Sequence, residues 1–340
     1  MRPSNDIPEA ARHVPFLLAL LVLGSVAVGS AACSGTESGS RTLLLAHVLT
    51  PDHAVHRALV RMGETLARET DGSLTLQIRH SAQLGAEKEL LEKVQAGQIQ
   101  LTKVSTSALD SLVPELGVYA LPWLFRDHTH FVATTDGPIG EELLRTVDRV
   151  GLRALVYYEA GARSFYAREP ITGVESLRGL RVRVQQSPTM IATLAALGAI
   201  PVPIPFGPEL TLALKKGERV SAAENNPPSY WTEEHYRSAP HYFLDAHTRA
   251  PDLLLMNGAA WKSLSDTERI ALARAAQESA LWQRATWLQE EDALLERLEA
   301  AGTEITRAVD TSPFIRATES VYADLPPELR NWSERIRALP

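Results

Sequence analysis

The run Leu180-Arg-Val-Arg-Val-Gln-Gln-Ser-Pro188 puts two arginines on alternate positions, between valines. A guanidinium presents paired N–H donors that match the two oxygens of a carboxylate, which a lysine does not do. In a strand, residues two apart share a face, so Arg181 and Arg183 point the same way while the valines pack beneath. Ser187 followed by Pro188 reads as a helix N-cap with proline at the first helical position. Arg183, Gln185 and Gln186 therefore sit at a strand-to-helix connection, where open α/β sheets bind ligands and where a helix N-terminus favours anions. On these residues alone, a solvated arginine face and an anion site both stay open.

Two further stretches carry suitable side chains. Arg163 follows the strand-like Leu155-Val-Tyr-Tyr-Glu159, at a cleft edge or on a surface loop. Asn225 and Asn226 follow an apolar run and are braced by Pro227 and Pro228, which holds amide donors and acceptors on a stiff turn. Turn chemistry alone also accounts for Asn-Pro. His128-Thr-His130, and His241 with Asp245 and His247, lack a recognised metal spacing and read as surface or internally satisfied histidines. No metal or cofactor is expected. There is no Gly-x-Ser-x-Gly, no His-Glu-x-x-His and no thiol nucleophile in the body of the chain, so an enzyme reading has no motif to stand on.

These side chains need a scaffold, and the pattern supplies one. Strand-like runs (42–49, 74–79, 99–104) alternate with helical ones (53–70, 87–96), and the alternation returns between 180 and 223. Two such α/β units predict open, mainly parallel sheets with flanking helices. Ser265-Asp-Thr-Glu268 is a capping box, and no proline or glycine follows until Gly302, so one very long helix is expected there. The 340 residues carry a net charge of -7 with no basic block, which argues against a nucleic-acid partner. Arg2 and Arg12, the apolar run 16–28 and the small residues up to Ala32 form an export signal over 1–32. Cys33, the only cysteine, follows it as in a lipobox, with Ser30 where leucine is commoner. The expectation is a lipid anchor at Cys33 and a flexible tether over 33–41. A plain signal peptide with an incidental cysteine is the alternative.

Taken together, RGLRVRVQQSP, YYEAGARSFY, SAQLGAEKELLEKVQAGQIQLTKVS, LPWLFRDHTHF and AENNPPSYW resemble the DctP-type solute-binding proteins of TRAP transporters, from about residue 43 onward. AENNPPSYW and VQQSP are most similar to hexuronate-binding members. The resemblance implies an α/β, two-lobed, periplasmic-binding-protein-like fold with a long helix crossing both lobes. Lobe I would comprise 42–160 plus 251–290, and lobe II 161–250 plus 291–340. It implies a monomeric receptor in the periplasm or cell envelope that takes a small organic acid and hands it to TRAP membrane permease subunits. The family's carboxylate-binding arginine falls on Arg183, an assisting arginine on Arg163, and the ligand-contacting amide on Asn225, with Asn226 beside it. Gln186, Phe206, Lys103 and His53 fall on pocket positions, as does Glu87, with Glu89 open as its alternative. Arg181 reads as peripheral. Val220-Ser-Ala-Ala stands where the family usually has Asp-Gly, which puts the local turn in question. A receptor for an ABC importer or a signalling system, an exported sugar-acid enzyme and a ligand-free scaffold lipoprotein are the competing readings.

Overall fold

The computed structural model describes residues 40–340, so the expected export signal, Cys33 and nearly all of the tether lie outside the described residues. The strands are β1 (Arg41–Ala46), β2 (Leu74–Arg79), β3 (Leu101–Ser105), β4 (Leu152–Tyr158), β5 (Arg163–Ala167), β6 (Arg181–Val184), β7 (Ile200–Pro203), β8 (Ala222–Asn225), β9 (His241–Thr248), β10 (Asp252–Asn257) and β11 (Glu304–Arg307). They form two sheets, ordered β2-β1-β3-β10-β4 and β11-β9-β5-β8-β6-β7. The α/β expectation holds, with one adjustment: both sheets are mixed. β1 runs parallel to β2 and β3, but β10 enters antiparallel between β3 and β4. In the second sheet β6, β7 and β8 are mutually parallel, whereas β5 is antiparallel to both β8 and β9.

Local sequence explains the helices. In α1 (Ala54–Glu69) Val55, Leu59, Met62 and Leu66 recur at helical spacing and are buried, which lays one face on the first sheet's core. α2 (Glu87–Gln95) buries Leu90, Leu91 and Val94 in the same way. The helix Pro188–Ala196 starts as expected, with the Ser187 side chain accepting from the Met190 N–H.

Strand alternation sorts the second sheet's core into two clusters. Phe165, Val182, Val184, Ala222 and Phe243 lie in one, and Tyr166, Ala223 and Tyr242 in the other. Arg183 has the opposite parity to its valine neighbours, so it faces the side of Tyr166 and Ala223.

The long helix spans Asp266–Ala300, and its N-terminus is the expected capping box between Ser265 and Glu268. Its 35 residues correspond to about 52 Å at about 1.5 Å per residue. Leu272, Ala275 and Ala276 pack in the first sheet's core, and Leu294 and Leu298 in the second's. The C-terminal part of the chain departs from the expected division. Leu325, Leu329 and Ile336 join the first core instead of the second, because the helix Pro327–Arg337 turns its apolar stripe back onto that side.

Candidate functional site

The candidate residues gather where the C-terminal ends of β3 and β6 meet the ends of β5 and β8. Two adjoining cavities share Glu87, Gln185 and Phe206. The outer one holds about 350 Å3 and is also lined by Arg183 and Gln186. The inner one, about 30 Å3, is lined by His53, Lys103, Arg163, Asn225, Asn226, Asp252 and Trp287 among others. The outer volume lies in the range typical of small-molecule sites, and the inner one is about a single water's share.

Arg183 is 0% exposed, yet Nη1 and Nη2 have no hydrogen-bond partner among the described residues. Nε donates to the Ile204 carbonyl at 2.8 Å, which fixes the plane of the guanidinium. Glu224, also 0% exposed, lies 3.8 Å from Nη1. Burial lowers the Arg183 pKa, and Glu224 offsets part of that. A desolvated guanidinium with two free N–H edges is a strong donor for an incoming carboxylate. Arg181 is exposed and donates to the Glu218 carbonyl at 2.7 Å, away from the cavities.

Arg163 does something different. Its Nε and Nη2 bond the Glu224 carboxylate, the latter at 3.0 Å, so it is an internally paired cation. Glu224 in turn lies 3.8 Å from His247 Nε2, and His247 Nδ1 meets Asp245 at 3.0 Å. Burial alone would raise the Glu224 pKa, but Arg163, His247 and Arg183 hold it down to about 2. Burial would lower His247, but Asp245 and Glu224 outweigh it and push it up to about 9.

On the opposite side, Lys103 Nζ donates to Asp252 at 2.9 Å and reaches Glu87 at 3.5 Å. Glu87 also accepts the Ser105 N–H at 3.1 Å. Burial raises the Glu87 pKa, and Lys103 opposes the rise. Asn225 and Asn226 spend their side-chain carbonyls on the turn: Asn225 accepts the Asn226 N–H at 2.9 Å, and Asn226 caps the next helix through the Ser229 N–H at 2.8 Å. Their amide NH2 groups are the parts left for the pocket. Phe206 is half-buried on the wall common to both cavities.

Two sequence assignments are refined. Glu87 is the pocket carboxylate, while Glu89 is exposed and accepts the Ala86 N–H at 2.9 Å as a helix cap. Gln186 is exposed at the outer cavity's rim, whereas Gln185 is 7% exposed, has an unpartnered Oε1 and lines both cavities. Parity gives the reason: Gln185 continues the Arg183 face of β6 and Gln186 points the other way.

Sequence reasoning missed Glu224, Asp252 and Trp287 as site residues. Glu224 carried one signal, its place between an apolar strand and Asn225. His128 and His130 are partnered within the protein. His130 accepts from the Arg126 N–H and contacts the Ile336 carbonyl at 2.8 Å, and His128 meets Glu159 at 2.9 Å.

A pH dependence follows. His247 holds its proton to about 9 in the folded chain, against an ordinary value of 6.5. That contribution to stability is complete below pH 6.5 and fades as pH rises towards 9. His53 and His235 run the other way. Burial is the main cause that lowers each to about 3, so they favour unfolding as pH falls below 6.5. The thermal midpoint should therefore decline between pH 6.5 and 9, and His247→Gln should flatten that limb. An unmodified protein with a level midpoint across this window would contradict a buried imidazolium.

Comparison with known proteins adds a separate line of support. Residues 45–327 match the family described as bacterial extracellular solute-binding protein, family 7, DctP. A TRAP periplasmic solute-binding protein from Xanthobacter autotrophicus Py2, solved with β-D-galacturonate, is 35% identical with a TM-score of 0.84, covering 88% of this chain and all of that one. One from Pseudomonas putida F1, solved with D-glucuronate, is 32% identical with a TM-score of 0.85, over 88% and 97% of the two chains. The 2,3-diketo-L-gulonate-binding periplasmic protein YiaO of Escherichia coli K12 is 27% identical, over 87% of this chain and 90% of its own length.

Proposed function

Because the chain belongs to the DctP family of bacterial extracellular solute-binding proteins, we propose that it captures a hexuronate, D-glucuronate or D-galacturonate, and delivers it to TRAP membrane subunits for uptake. As a family member it is an exported solute receptor of the TRAP type and not an enzyme. The observation that carries the ligand reading is Arg183, wholly buried at the cavity wall with both terminal nitrogens lacking a hydrogen-bond partner among the described residues. It is the buried cation of the site whose terminal nitrogens hydrogen-bond no carboxylate among the described residues: Glu224, 3.8 Å away, is bonded to Arg163, while Lys103 has Asp252 and His247 has Asp245. One ligand carboxylate completes the set. The remaining lining, with the Asn225 and Asn226 amides, Gln185 and Glu87, suits hydroxyls that both donate and accept. Phe206 supplies an apolar face for the sugar ring. The galacturonate- and glucuronate-bound relatives support the same class.

A thermal-shift panel tests this reading. D-glucuronate and D-galacturonate should raise the midpoint by mass action on the folded state, and calorimetry should then give their affinities. An absence of any shift across hexuronates, aldonates, keto acids and dicarboxylates would favour a scaffold without a ligand.

Three finer points belong to the same proposal. Residues 42–160 with 251–290, and 161–250 with 291–340 apart from the stretch of Leu325, Leu329 and Ile336 that packs on the first core, are the halves that close on the ligand, as a monomer. Compaction on D-glucuronate addition in small-angle scattering checks the closure. Cys33 is the lipidated N-terminus of the mature protein. In cells fed labelled palmitate the full chain should take up label, and Cys33→Ser should take up none.

A further inference from the structure

Adjoining the inner pocket, and sharing no lining residue with the outer cavity, lies a third cavity of about 320 Å3 bounded by Arg57, Trp231, Glu290 and Leu294 among others. His53 and Trp287 line both this cavity and the inner pocket, and so form the partition between them. Arg183 lines neither of those two spaces, only the outer one. Arg183 and the His53–Trp287 wall therefore border different spaces of the site, joined through Glu87, Gln185 and Phe206.

The chemistry of this wall is one-sided. Trp287 is 2% exposed and its Nε1–H has no acceptor among the described residues. His53 is 3% exposed and its Nε2 is likewise unpartnered. A backbone N–H can only donate, so the bond from Val55 N to His53 Nδ1 at 3.2 Å places the ring proton on Nε2. Burial and the Lys103 charge keep the imidazole neutral. The two rings are 5.8 Å apart between centroids. Buried donors are rarely left without an acceptor, because their desolvation is then unrepaid. The indole is also packed against Gly161 at its Nε1, Cε2 and Cζ2 atoms. Gly161 has φ +62, and a Cβ there would approach the Trp287 ring to 2.9 Å.

We propose that His53 and Trp287 form a donor-only end-stop that takes an uncharged oxygen of the ligand, a hydroxyl or ring oxygen, at the end away from its carboxylate. This rests on the hexuronate reading and deepens it, because the wall sets both the length and the charge of what fits. A second carboxylate at that end would meet Lys103 already flanked by Asp252 and Glu87. The site thus selects monocarboxylates with an oxygen-bearing far end over dicarboxylates.

Trp287→Phe keeps the ring and removes the N–H. Calorimetry with D-glucuronate should show affinity weakened about fivefold or more, the range of one lost hydrogen bond. In the unmodified, 15N-labelled protein, the indole resonance identified by its absence in Trp287→Phe should move downfield in the proton dimension when D-glucuronate saturates the site. Unchanged affinity in the variant, or an indole resonance that stays in place on saturation, overturns the end-stop while the hexuronate reading stands. Lack of any D-glucuronate or D-galacturonate binding by the unmodified protein is instead the failure of the hexuronate reading, and it removes the end-stop with it.

Discussion

Arg183→Met weakens binding of D-glucuronate by at least about thirtyfold, and leaves the ligand-free protein as stable as before or more so. Truncating one partner of a buried, hydrogen-bonded charge pair costs about 2–5 kcal/mol, and each 1.4 kcal/mol is about tenfold in affinity. The stability half of the prediction comes from the other side of the same physics. A guanidinium at 0% exposure whose two terminal nitrogens have no hydrogen-bond partner among the described residues has lost its hydration and is only partly compensated, by Glu224 at 3.8 Å. An apolar side chain of similar length removes that burden. What goes with it is the 2.8 Å contact of Nε with the Ile204 carbonyl and the attraction to Glu224 at 3.8 Å, a carboxylate that keeps Arg163 as its bonded partner. Calorimetry with D-glucuronate and a thermal melt of the ligand-free variant check the two halves separately. Retained affinity would take Arg183 out of the site. A marked fall in the ligand-free midpoint would mean that the residue is structural.

Glu224→Gln is expected to act in the opposite sense, on the fold first. Glu224 is 0% exposed, bonded to Arg163 and within 3.8 Å of both Arg183 and His247. The amide has nearly the same shape but no charge. It would leave Arg163 buried without its counter-ion and would bring the two guanidiniums into unshielded repulsion. Breaking a buried pair in this way costs about 3–5 kcal/mol, a large share of the ~5–15 kcal/mol that holds a typical domain together. Urea titration should show the midpoint falling sharply with little change in slope. A variant as stable as its parent would mean that Arg163 and Arg183 do not depend on this carboxylate. The two substitutions separate the roles within one network: Arg183 faces the ligand, whereas Glu224 makes it tolerable to bury cations behind it.

Much of this was legible in the chain because the relevant signals are local. Helix caps such as Ser187-Pro188 and Ser265 to Glu268, and the alternation in Arg181-Val-Arg-Val184, are set by neighbours within a few residues. The same locality marks what was hidden. Lys103 finds Asp252 only because β10 pairs with β3, and Arg163 finds Glu224 only because Phe165 stands opposite it in the β5–β8 register. Sheet order joins residues far apart in sequence, and nothing in a strand's own residues states which strand will lie beside it. Trp287 was readable as apolar surface of a long helix, but its unsatisfied N–H exists only once His53 and Gly161 are packed around it. The family resemblance points to Gln186, near the helix start, whereas strand parity turns Gln185 to the Arg183 face, where it lines both cavities.

The insertion of β10 has a bearing on biosynthesis. An exported chain reaches its destination threaded from the N-terminus onward. The first sheet cannot be finished until residues 252–257 have emerged to fill the gap between β3 and β4. Its core stays open longer still, awaiting Leu329 and Ile336 near the last residue. During translocation β3 and β4 therefore present unpaired backbone edges with apolar flanks, a configuration prone to intermolecular pairing. Those edges are covered only once the C-terminal segments have packed against them.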